Sequence, residues 1–390
     1  MSEHDRPSAR RQVLTLVMTE QCNLACSYCY EVKSPKNVLS FDIAKVAIVE
    51  AFRNEAFDEL EIHFFGGEPL LAHKNIIALC EWLWEQHWPR PYICFASTNG
   101  TLVHGALKEW VSRNKDRFIL GLSFDGTEEM NNLNRSQSSS KIDLDLFRRL
   151  WPFQSVKMTV SRETVGNMAE GVIFLQKLGF KVACTHAYGI GWEESDYKIF
   201  AREVRKLADF YIENPEIYPC NLMALPVEYA ALGQPPRKYC GAGTNLVSID
   251  KNGKRYPCQT FMPMSTGTGQ SINMDDMFEK LANPVNYHDK MCDNCCLEPI
   301  CPTCYGTNYN RSGDPFARDI SDCTFTKLRA KATSYMLTKM VLCQDRDYAY
   351  LLSKDDSDLR RMISGIELIN KSLVIKPFTS TPNPTGAVPG

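Results

Sequence analysis

The sequence predicts an α/β protein in which a partial (β/α)6 TIM-like barrel is followed by a small cysteine-rich, loop-rich α+β domain with a β-hairpin. Between residues 12 and 215, short β-branched or aromatic runs alternate with longer segments of helical period, as in the strand–helix units of a parallel sheet. The segment from Cys240 to Cys323 lacks this alternation and contains eight of the chain's 16 cysteines. Because a closed barrel of this type needs eight strand–helix units, the six found here predict an open barrel.

The elements of the barrel follow in regular order. The strands are apolar runs between turn residues, and helix starts are marked by capping residues such as Ser40. Strands are expected at 13–18, 60–65, 92–97, 118–124, 155–160 and 182–187, and helices at 41–56, 75–88, 105–114, 143–151, 167–178 and 195–211. The loops that follow parallel strands gather at one end of a barrel, so functional residues are expected at these strand ends.

The remaining segments complete the predicted organisation. Residues 1–11 are expected to be an N-terminal tail, and 216–239 a linker because four prolines interrupt it. In the cysteine-rich domain, 240–323, a turn at Asn252 and Gly253 predicts a hairpin of 246–250 with 254–256. A helical segment, 324–376, includes a helix at 325–342, and 377–390 is expected to be a disordered tail.

Composition excludes some classes of partner. The 44 basic and 46 acidic side chains nearly cancel, so no overall field attracts nucleic acid or an anionic membrane surface. No apolar run approaches the roughly 20 residues of a membrane span, and a cytoplasmic location is expected. In a reducing compartment, dense cysteine usage indicates metal binding rather than disulfides.

The motif with the clearest chemistry is Cys22-x3-Cys26-x2-Cys29, directly after the first predicted strand. Three thiolates on one loop can hold three irons of a cubane cluster, which leaves the fourth iron without a protein ligand. The alternative is a structural zinc site. Zinc prefers a fourth protein ligand nearby, and the adjacent sequence offers no histidine.

This loop, with Tyr28 before its last cysteine, resembles the signature of the radical S-adenosylmethionine superfamily, over about residues 12–215. The resemblance implies that the open iron is chelated by the amino and carboxylate groups of S-adenosylmethionine. Reductive cleavage then yields a 5′-deoxyadenosyl radical that abstracts hydrogen from a substrate, while the protein positions the cofactor. It also implies an electron donor of the flavodoxin or ferredoxin type.

Segments after the second, third and fourth strands resemble those that line the cofactor pocket in this family. Gly66-Gly67-Glu68-Pro69 corresponds to the segment that meets the methionine amino group, and Arg135 is a candidate for the methionine carboxylate. The alternative is that these segments are ordinary turns. The residues expected to bind the cofactor are Tyr28, Gly66, Gly67, Glu68, Asn99, Ser123, Asp125 and Arg135.

The second cysteine group resembles the SPASM extension, which holds two auxiliary iron–sulfur clusters in radical enzymes that modify peptides and proteins. By that resemblance the first auxiliary cluster is held by Cys240, Cys258 and Cys304, and the second by Cys292, Cys295, Cys301 and Cys323. Together with the first motif this implies three four-iron, four-sulfur (4Fe-4S) clusters. Two structural zinc sites are the alternative for this region.

Two positions depart from the family pattern. Leu246 stands where fully ligated members have a further cysteine, so the first auxiliary cluster is expected to have an open iron, which a substrate cysteine or Cys296 would fill. The spacing between Cys301 and Cys304 is one residue shorter than is usual, which leaves open how these two cysteines divide between the clusters.

Three functions follow from these features. The first is modification of a ribosomally synthesised precursor peptide, giving a crosslink, a thioether or an epimerised centre. The second is anaerobic sulfatase maturation, in which an aspartate after the Tyr-Pro-Cys cysteine acts as the base; Gln259 stands there instead, and an amide does not accept that proton. The third is a non-catalytic iron–sulfur electron carrier, against which the cofactor-binding segments argue. No catalytic acid or base is identified, and His63 is expected to be a core histidine.

Overall fold

A computed structural model describes residues 10–34, 38–233, 238–267, 273–343 and 345–373. These residues form a curved parallel sheet with helices on its outer face, followed by a loop-rich cysteine region and C-terminal helices. The predicted fold class is confirmed. The predicted tail at 377–390 and most of the predicted tail at 1–11 lie outside the described residues. Within the described residues, no helix combines the length and the apolar character that a membrane crossing requires.

The barrel strands agree closely with those expected from the sequence. They are β1 (Arg11–Thr19), β2 (Glu59–Gly66), β3 (Tyr92–Thr98), β4 (Phe118–Leu122), β5 (Val156–Val160) and β6 (Val182–His186). Strands β1 to β4 pair in parallel in chain order, and β5 pairs in parallel with β6. A bridge between Ser123 and Lys157 continues the curve from β4 to β5.

Helices follow the strands and cover the outside of the sheet. They are α1 (Phe41–Phe52), α2 (His73–Glu85), α3 (Gly105–Arg113), α4 (Glu128–Asn134), α5 (Leu144–Leu150), α6 (Met168–Lys177) and α7 (Glu194–Glu213). Local capping fixes several starts: the Ser40 side chain accepts from Ile43 N, and that of Asp143 from Leu146 N. Helix α1 is shorter than the predicted 41–56.

Burial alternates along β2, β5 and β6 because one face meets the helices and the other faces the barrel interior. On β2 the outward side chains Leu60, Ile62 and Phe64 are buried in the main core. The inward side chains between them are only partly buried, and β5 and β6 show the same alternation. The interior of the barrel is therefore not filled by a packed apolar core.

The hairpin of the cysteine region joins the barrel sheet. Strand β7 (Leu246–Ile249) pairs in parallel with β1, on the side opposite β2, and in antiparallel with β8 (Arg255–Tyr256). The expected turn is present, with Gly253 at φ +79° and the Asp250 carboxylate accepting from Asn252 N and Lys254 N. The two cysteine regions are thus connected by a continuous sheet.

The segment 216–239 differs from the expected linker, because its described part is packed. Leu222 and Met223 are fully buried against the helices that follow. Arg329 donates to the carbonyl oxygens of Asn221 at 2.8 Å and Leu222 at 3.1 Å, which satisfies buried backbone groups. Prolines here terminate regular structure without exposing the chain. Residues 234–237 lie outside the described part.

The remaining helices include one long helix that carries a cysteine. They are α8 (Pro263–Thr266), α9 (Met274–Ala282), α10 (Tyr305–Ser312), α11 (Ile320–Leu342), α12 (Ala349–Leu352) and α13 (Asp356–Ser372). Helix α11 begins before the predicted residue 325 because the Asp319 side chain accepts from Ser321 N at 2.7 Å. Cys323 therefore lies in the first turns of a helix.

We expect Arg329→Met to lower the free energy of unfolding by about 2–3 kcal/mol, because the carbonyl groups of Asn221 and Leu222 lose their buried donor. Denaturant unfolding of the anaerobic protein measures this change. Lys339→Met, on an exposed position of α11, is the matched control and should change stability little. Equal stability of the two variants would contradict the packed role of residues 220–225.

Candidate cluster and cofactor site

The first three motif cysteines lie on the loop after β1, at the carboxyl end of the barrel. Cys22 and Cys26 are partly buried and Cys29 is exposed, and none of the 16 cysteines forms a disulfide. The loop is ordered by backbone bonds: Leu24 N lies 3.5 Å from Cys22 Sγ, and Cys29 N donates to Cys26 O at 3.1 Å. The three thiols thus share one short, braced loop.

The Gly66–Gly67 turn packs directly on the start of this loop. Gly67 N donates to Thr19 O at 3.0 Å, and Glu68 N donates to Gln21 O at 2.7 Å. A Cβ at Gly66 would lie 2.1 Å from Thr19 O, and one at Gly67 would lie 2.4 Å from Gln21 O. The two glycines are therefore required by the close approach of the cysteine loop itself, a constraint that the motif alone did not reveal.

Glu68 ties the end of β2 to the end of β3. Its carboxylate accepts from Leu70 N at 3.1 Å, Thr98 Oγ1 at 2.8 Å and Asn99 N at 2.7 Å. Burial raises the pKa of Glu68 to about 7, against the effect of these donors. Because a carboxylate has about four acceptor positions, one remains for a ligand.

Asp125 is fully buried and organises the wall opposite the glycines. It accepts from Tyr28 Oη at 2.6 Å and Thr159 N at 2.8 Å, and Arg135 Nη2 donates to it at 3.1 Å. Burial opposes the charge on Arg135, but the Asp125 carboxylate, Tyr28 and Cys26 together outweigh burial and raise the guanidinium pKa. Asp125 was expected to contact the cofactor; it lies behind the wall and holds Tyr28 and Arg135 in place.

These side chains surround a cavity of about 190 Å³. Seven of the eight residues expected to bind the cofactor line it, Asp125 being the exception. Thr98, in the segment after the third strand that was expected to line the pocket, lines it as well. Sequence reasoning missed further lining residues, of which Ser97 had a detectable signal, because it ends the third predicted strand. The cavity is lined by Cys22, Cys26, Tyr28, Cys29, Tyr30, Glu31, Lys33, Phe65, Gly66, Gly67, Glu68, Ser97, Thr98, Asn99, Ser123 and Arg135.

The donor set of this cavity fits an iron–sulfur cluster with an amino-acid ligand. The lining supplies three thiols, one guanidinium, two carboxylates and one ammonium group, together with hydroxyl, amide and backbone groups and the ring of Phe65. Thiols that hold a cubane each bind a different iron, whereas the ligands of Zn²⁺ converge on one ion. Among the described residues, no three His, Cys, Asp or Glu side chains converge in that way, which gives no support to the zinc alternative.

The eight cysteines from Cys240 to Cys323 separate into two groups. Cys258 interacts electrostatically with Cys240 and Cys304. A second cavity, of about 230 Å³, is lined by Cys292, Cys295, Cys301 and Cys323, together with Cys296. Cys301 therefore lies with the second group and Cys304 with the first. Burial raises the pKa of Cys258 and of Cys292 to about 12.

Leu246, where the family pattern has a cysteine, and Gln259, where sulfatase-maturing enzymes have an aspartate, both lie near the first group. Leu246 packs on the apolar cluster that contains Cys258. Gln259 follows Cys258 in a short helical turn, with its side chain partly exposed. Gln259 is thus adjacent to Cys258 in the chain and Leu246 packs on the same apolar cluster, and neither supplies a thiolate or a carboxylate.

We expect Gly67→Ala to lower the iron bound at the Cys22 loop severalfold, because the new methyl group would displace the loop backbone at Gln21. Iron analysis and electron paramagnetic resonance of the reduced protein measure the loss. Gly166→Ala is the control, since a Cβ there meets nothing nearer than 3.9 Å. Full iron content in the Gly67 variant would show that the loop tolerates the displacement.

Comparison with known proteins agrees with this geometry. Residues 11–141 match a family model described as a 4Fe-4S single cluster domain. A cysteine-type anaerobic sulfatase-maturating enzyme of Clostridium perfringens is 24% identical, covering 80% of this chain and 91% of the relative. The subtilosin biosynthesis protein AlbA of Bacillus subtilis is also 24% identical, covering 76% of this chain and 68% of the relative.

Solved structures share the fold. The structure of native anSMEcpe with bound AdoMet and Kp18Cys peptide has a TM-score of 0.64 at 19% identity, covering 85% of this chain and 99% of that chain. Streptococcus suis SuiB bound to S-adenosylmethionine has a TM-score of 0.52 at 18% identity, covering 81% and 77%. The resemblance to radical S-adenosylmethionine enzymes found in the sequence is thus confirmed, since a 4Fe-4S domain matches residues 11–141 and the relatives above cover 76–80% of this chain.

Proposed function

We propose that this enzyme modifies a ribosomally synthesised precursor peptide by hydrogen abstraction, giving a crosslink, a thioether or an epimerised centre. The observation that carries the proposal is Gln259 beside Cys258, where sulfatase maturation requires a carboxylate base. Two relatives support a peptide substrate: AlbA acts in subtilosin biosynthesis, and SuiB has been solved bound to its precursor peptide SuiA.

Cys22, Cys26 and Cys29 are the proposed ligands of the catalytic cluster, with S-adenosylmethionine in the 190 Å³ cavity. When bound, these groups supply a 5′-deoxyadenosyl radical for hydrogen abstraction. Arg135 and the free acceptor position of Glu68 are the proposed partners of the methionine carboxylate and amino groups. Asp125 is proposed as a positioning residue, because it fixes the Tyr28 and Arg135 side chains without reaching the cavity.

The other proposed cofactor contacts are distributed around the same cavity. Gly66 and Gly67 bring their backbone close to the cysteine loop, and Asn99 and Ser123 add polar groups at the ends of β3 and β4. Asn99 donates to Asn23 Oδ1 at 2.9 Å, which ties this wall to the loop. These contacts orient the bound cofactor and exclude water from it.

Two auxiliary 4Fe-4S clusters are proposed, which gives three in total. The thiol grouping supports Cys240, Cys258 and Cys304 for the first cluster. It supports Cys292, Cys295, Cys301 and Cys323 for the second. A flavodoxin- or ferredoxin-type protein is the proposed electron donor. The proposed domains are 12–215 for the barrel and 240–323 for the auxiliary region.

Sulfatase maturation is the second candidate, because the Clostridium perfringens sulfatase-maturating relative is matched over 91% of its length. Its base would have to come from a residue other than Gln259. Glu31 lies in the cavity wall, two residues after the last cysteine of the cluster motif. The two candidates can be distinguished by their substrate, which is a precursor peptide for the first and a sulfatase peptide for the second.

We expect Cys26→Ala to abolish 5′-deoxyadenosine formation and to lower the iron content from about twelve to about eight per chain, because the catalytic cluster loses one of its three thiolates. Chromatographic detection of 5′-deoxyadenosine and iron analysis measure both effects. Cys343→Ala, at the end of α11 and outside both cysteine groups, is the control. Retained cofactor cleavage in the Cys26 variant would overturn the proposed site.

We expect the reduced enzyme to leave a cysteine-containing sulfatase peptide unconverted, with formylglycine yields about a hundredfold below those of a sulfatase-maturing enzyme, because no carboxylate stands at position 259. Mass spectrometry of the peptide measures the yield. The substitution Gln259→Asp introduces a carboxylate at this position and should raise any residual yield of formylglycine. Efficient formylglycine formation by the unaltered protein would favour the second candidate.

A further inference from the structure

The interior of the barrel is unusually polar. Closed barrels of this type are filled with bulky apolar side chains. Here the inward positions of β2 include Glu61 and His63, and those of β5 are Lys157 and Thr159, all partly exposed. Because packing alone would select apolar residues at such positions, their polarity indicates a functional surface.

Among the side chains of this surface, Lys157 has the most hydrogen-bond donors without an acceptor. Its Nζ donates to Ser97 Oγ at 2.7 Å, and it lies 5.6 Å from the centre of the Phe95 ring. An ammonium group has three donors, so this bond leaves two available. Within the described residues, Lys157 forms no ion pair with an Asp or Glu side chain; the nearest acidic influence is Glu61.

The groups around Lys157 do not neutralise it. Burial lowers the Lys157 pKa, Glu61 favours the charged form, and Arg135 opposes it. His63 Nε2 lies 3.0 Å from the same Ser97 hydroxyl, and burial together with Lys157 lowers the His63 pKa to about 3. His63 is therefore neutral at physiological pH, and it adds no second positive charge beside Lys157. A charge without a partner in such a site favours an anionic ligand.

Lys157 also lies next to the proposed cofactor cavity. Ser97, which accepts its hydrogen bond, lines that cavity, and so does Ser123, which is bridged to the Lys157 backbone. Phe124 N donates to Lys157 O at 2.9 Å, which fixes the strand position from which the side chain extends. A group bound at Nζ is thus separated from the cavity by one serine hydroxyl.

We propose that Lys157 binds the carboxylate of an acidic side chain of the peptide substrate in the barrel interior, so that hydrogen is abstracted from this acidic residue or from its neighbour. The inference rests on the proposed function and specifies its substrate class. Ser97 and His63 act as positioning residues, since they hold Nζ through one shared hydroxyl. A charge-assisted bond to carboxylate discriminates against the corresponding amide.

The test uses two capped amino acids, N-acetylglutamate N-methylamide and N-acetylglutamine N-methylamide, titrated calorimetrically into the anaerobic, cluster-loaded full chain with S-adenosylmethionine. We expect the unaltered protein to bind the glutamate probe about tenfold more tightly than the glutamine probe. Lys157→Met should reduce this preference to below about twofold, while Lys157→Arg should retain most of it. Lys181→Met, at an exposed position beside β6, is the control and should retain all of it.

Each other outcome has a distinct meaning. No glutamate preference in the unaltered protein, or a preference that survives in Lys157→Met, overturns the proposal. Tighter binding of N-acetylalanine, which has a free terminal carboxylate, would assign Lys157 to the peptide C-terminus instead. Weakened S-adenosylmethionine binding in Lys157→Met, with the probe preference unchanged, would assign it to the cofactor carboxylate. Absence of 5′-deoxyadenosine formation by the unaltered protein would refute the proposed function but not the carboxylate site.

Discussion

The contact between the Gly66–Gly67 turn and the beginning of the cysteine loop is the interaction on which the rest of the site depends. Two backbone hydrogen bonds, at 3.0 and 2.7 Å, extend the β1–β2 pairing beyond the strands and into the loop that carries Cys22. Because both donors and acceptors belong to the backbone, side chains do not adjust this geometry. The pairing of β1 with β2 therefore fixes the position of the loop, and with it the positions of the three thiols.

Asp125 fixes side chains on another part of the cavity wall. Its contribution is to position these side chains rather than to stabilise the fold. A buried ion pair such as Asp125 with Arg135 contributes little net stability, because desolvation of both charges offsets their attraction. The same carboxylate also receives Tyr28 Oη and Thr159 N, so its lone pairs are satisfied. Breaking this group by removing one member would leave a buried charge unpaired, so the arrangement is costly to alter.

The parallel pairing of β7 with β1 connects the auxiliary cysteine region to the catalytic loop. Leu246 aligns with Val13 in this pairing, which fixes the start of the hairpin relative to the strand that ends at the loop. A second connection is the bond from Val32 N to Met264 O at 2.7 Å. The two regions therefore meet near the carboxyl end of the barrel, beside the loop that carries the first three cysteines.

The sequence by itself determined the features that depend on short-range patterns. Hydrophobic periodicity located six barrel strands to within two residues at either end, and cysteine spacing indicated the cluster loop and both auxiliary groups. Helix ends were less accurate, as in α11, because the Asp319 cap that starts this helix is a single local bond within a polar stretch.

Only the tertiary structure decided which distant residues meet. The pairing of β7 with β1, the burial of residues 220–225 and the position of Asp125 behind the cavity wall join segments separated by tens to hundreds of residues. The same holds for Lys157. The alternating pattern of its strand predicts which face of the sheet the side chain occupies, but it does not predict that Nζ donates a hydrogen bond to Ser97 Oγ. Such contacts are set by how elements pack, and packing is not encoded in local periodicity.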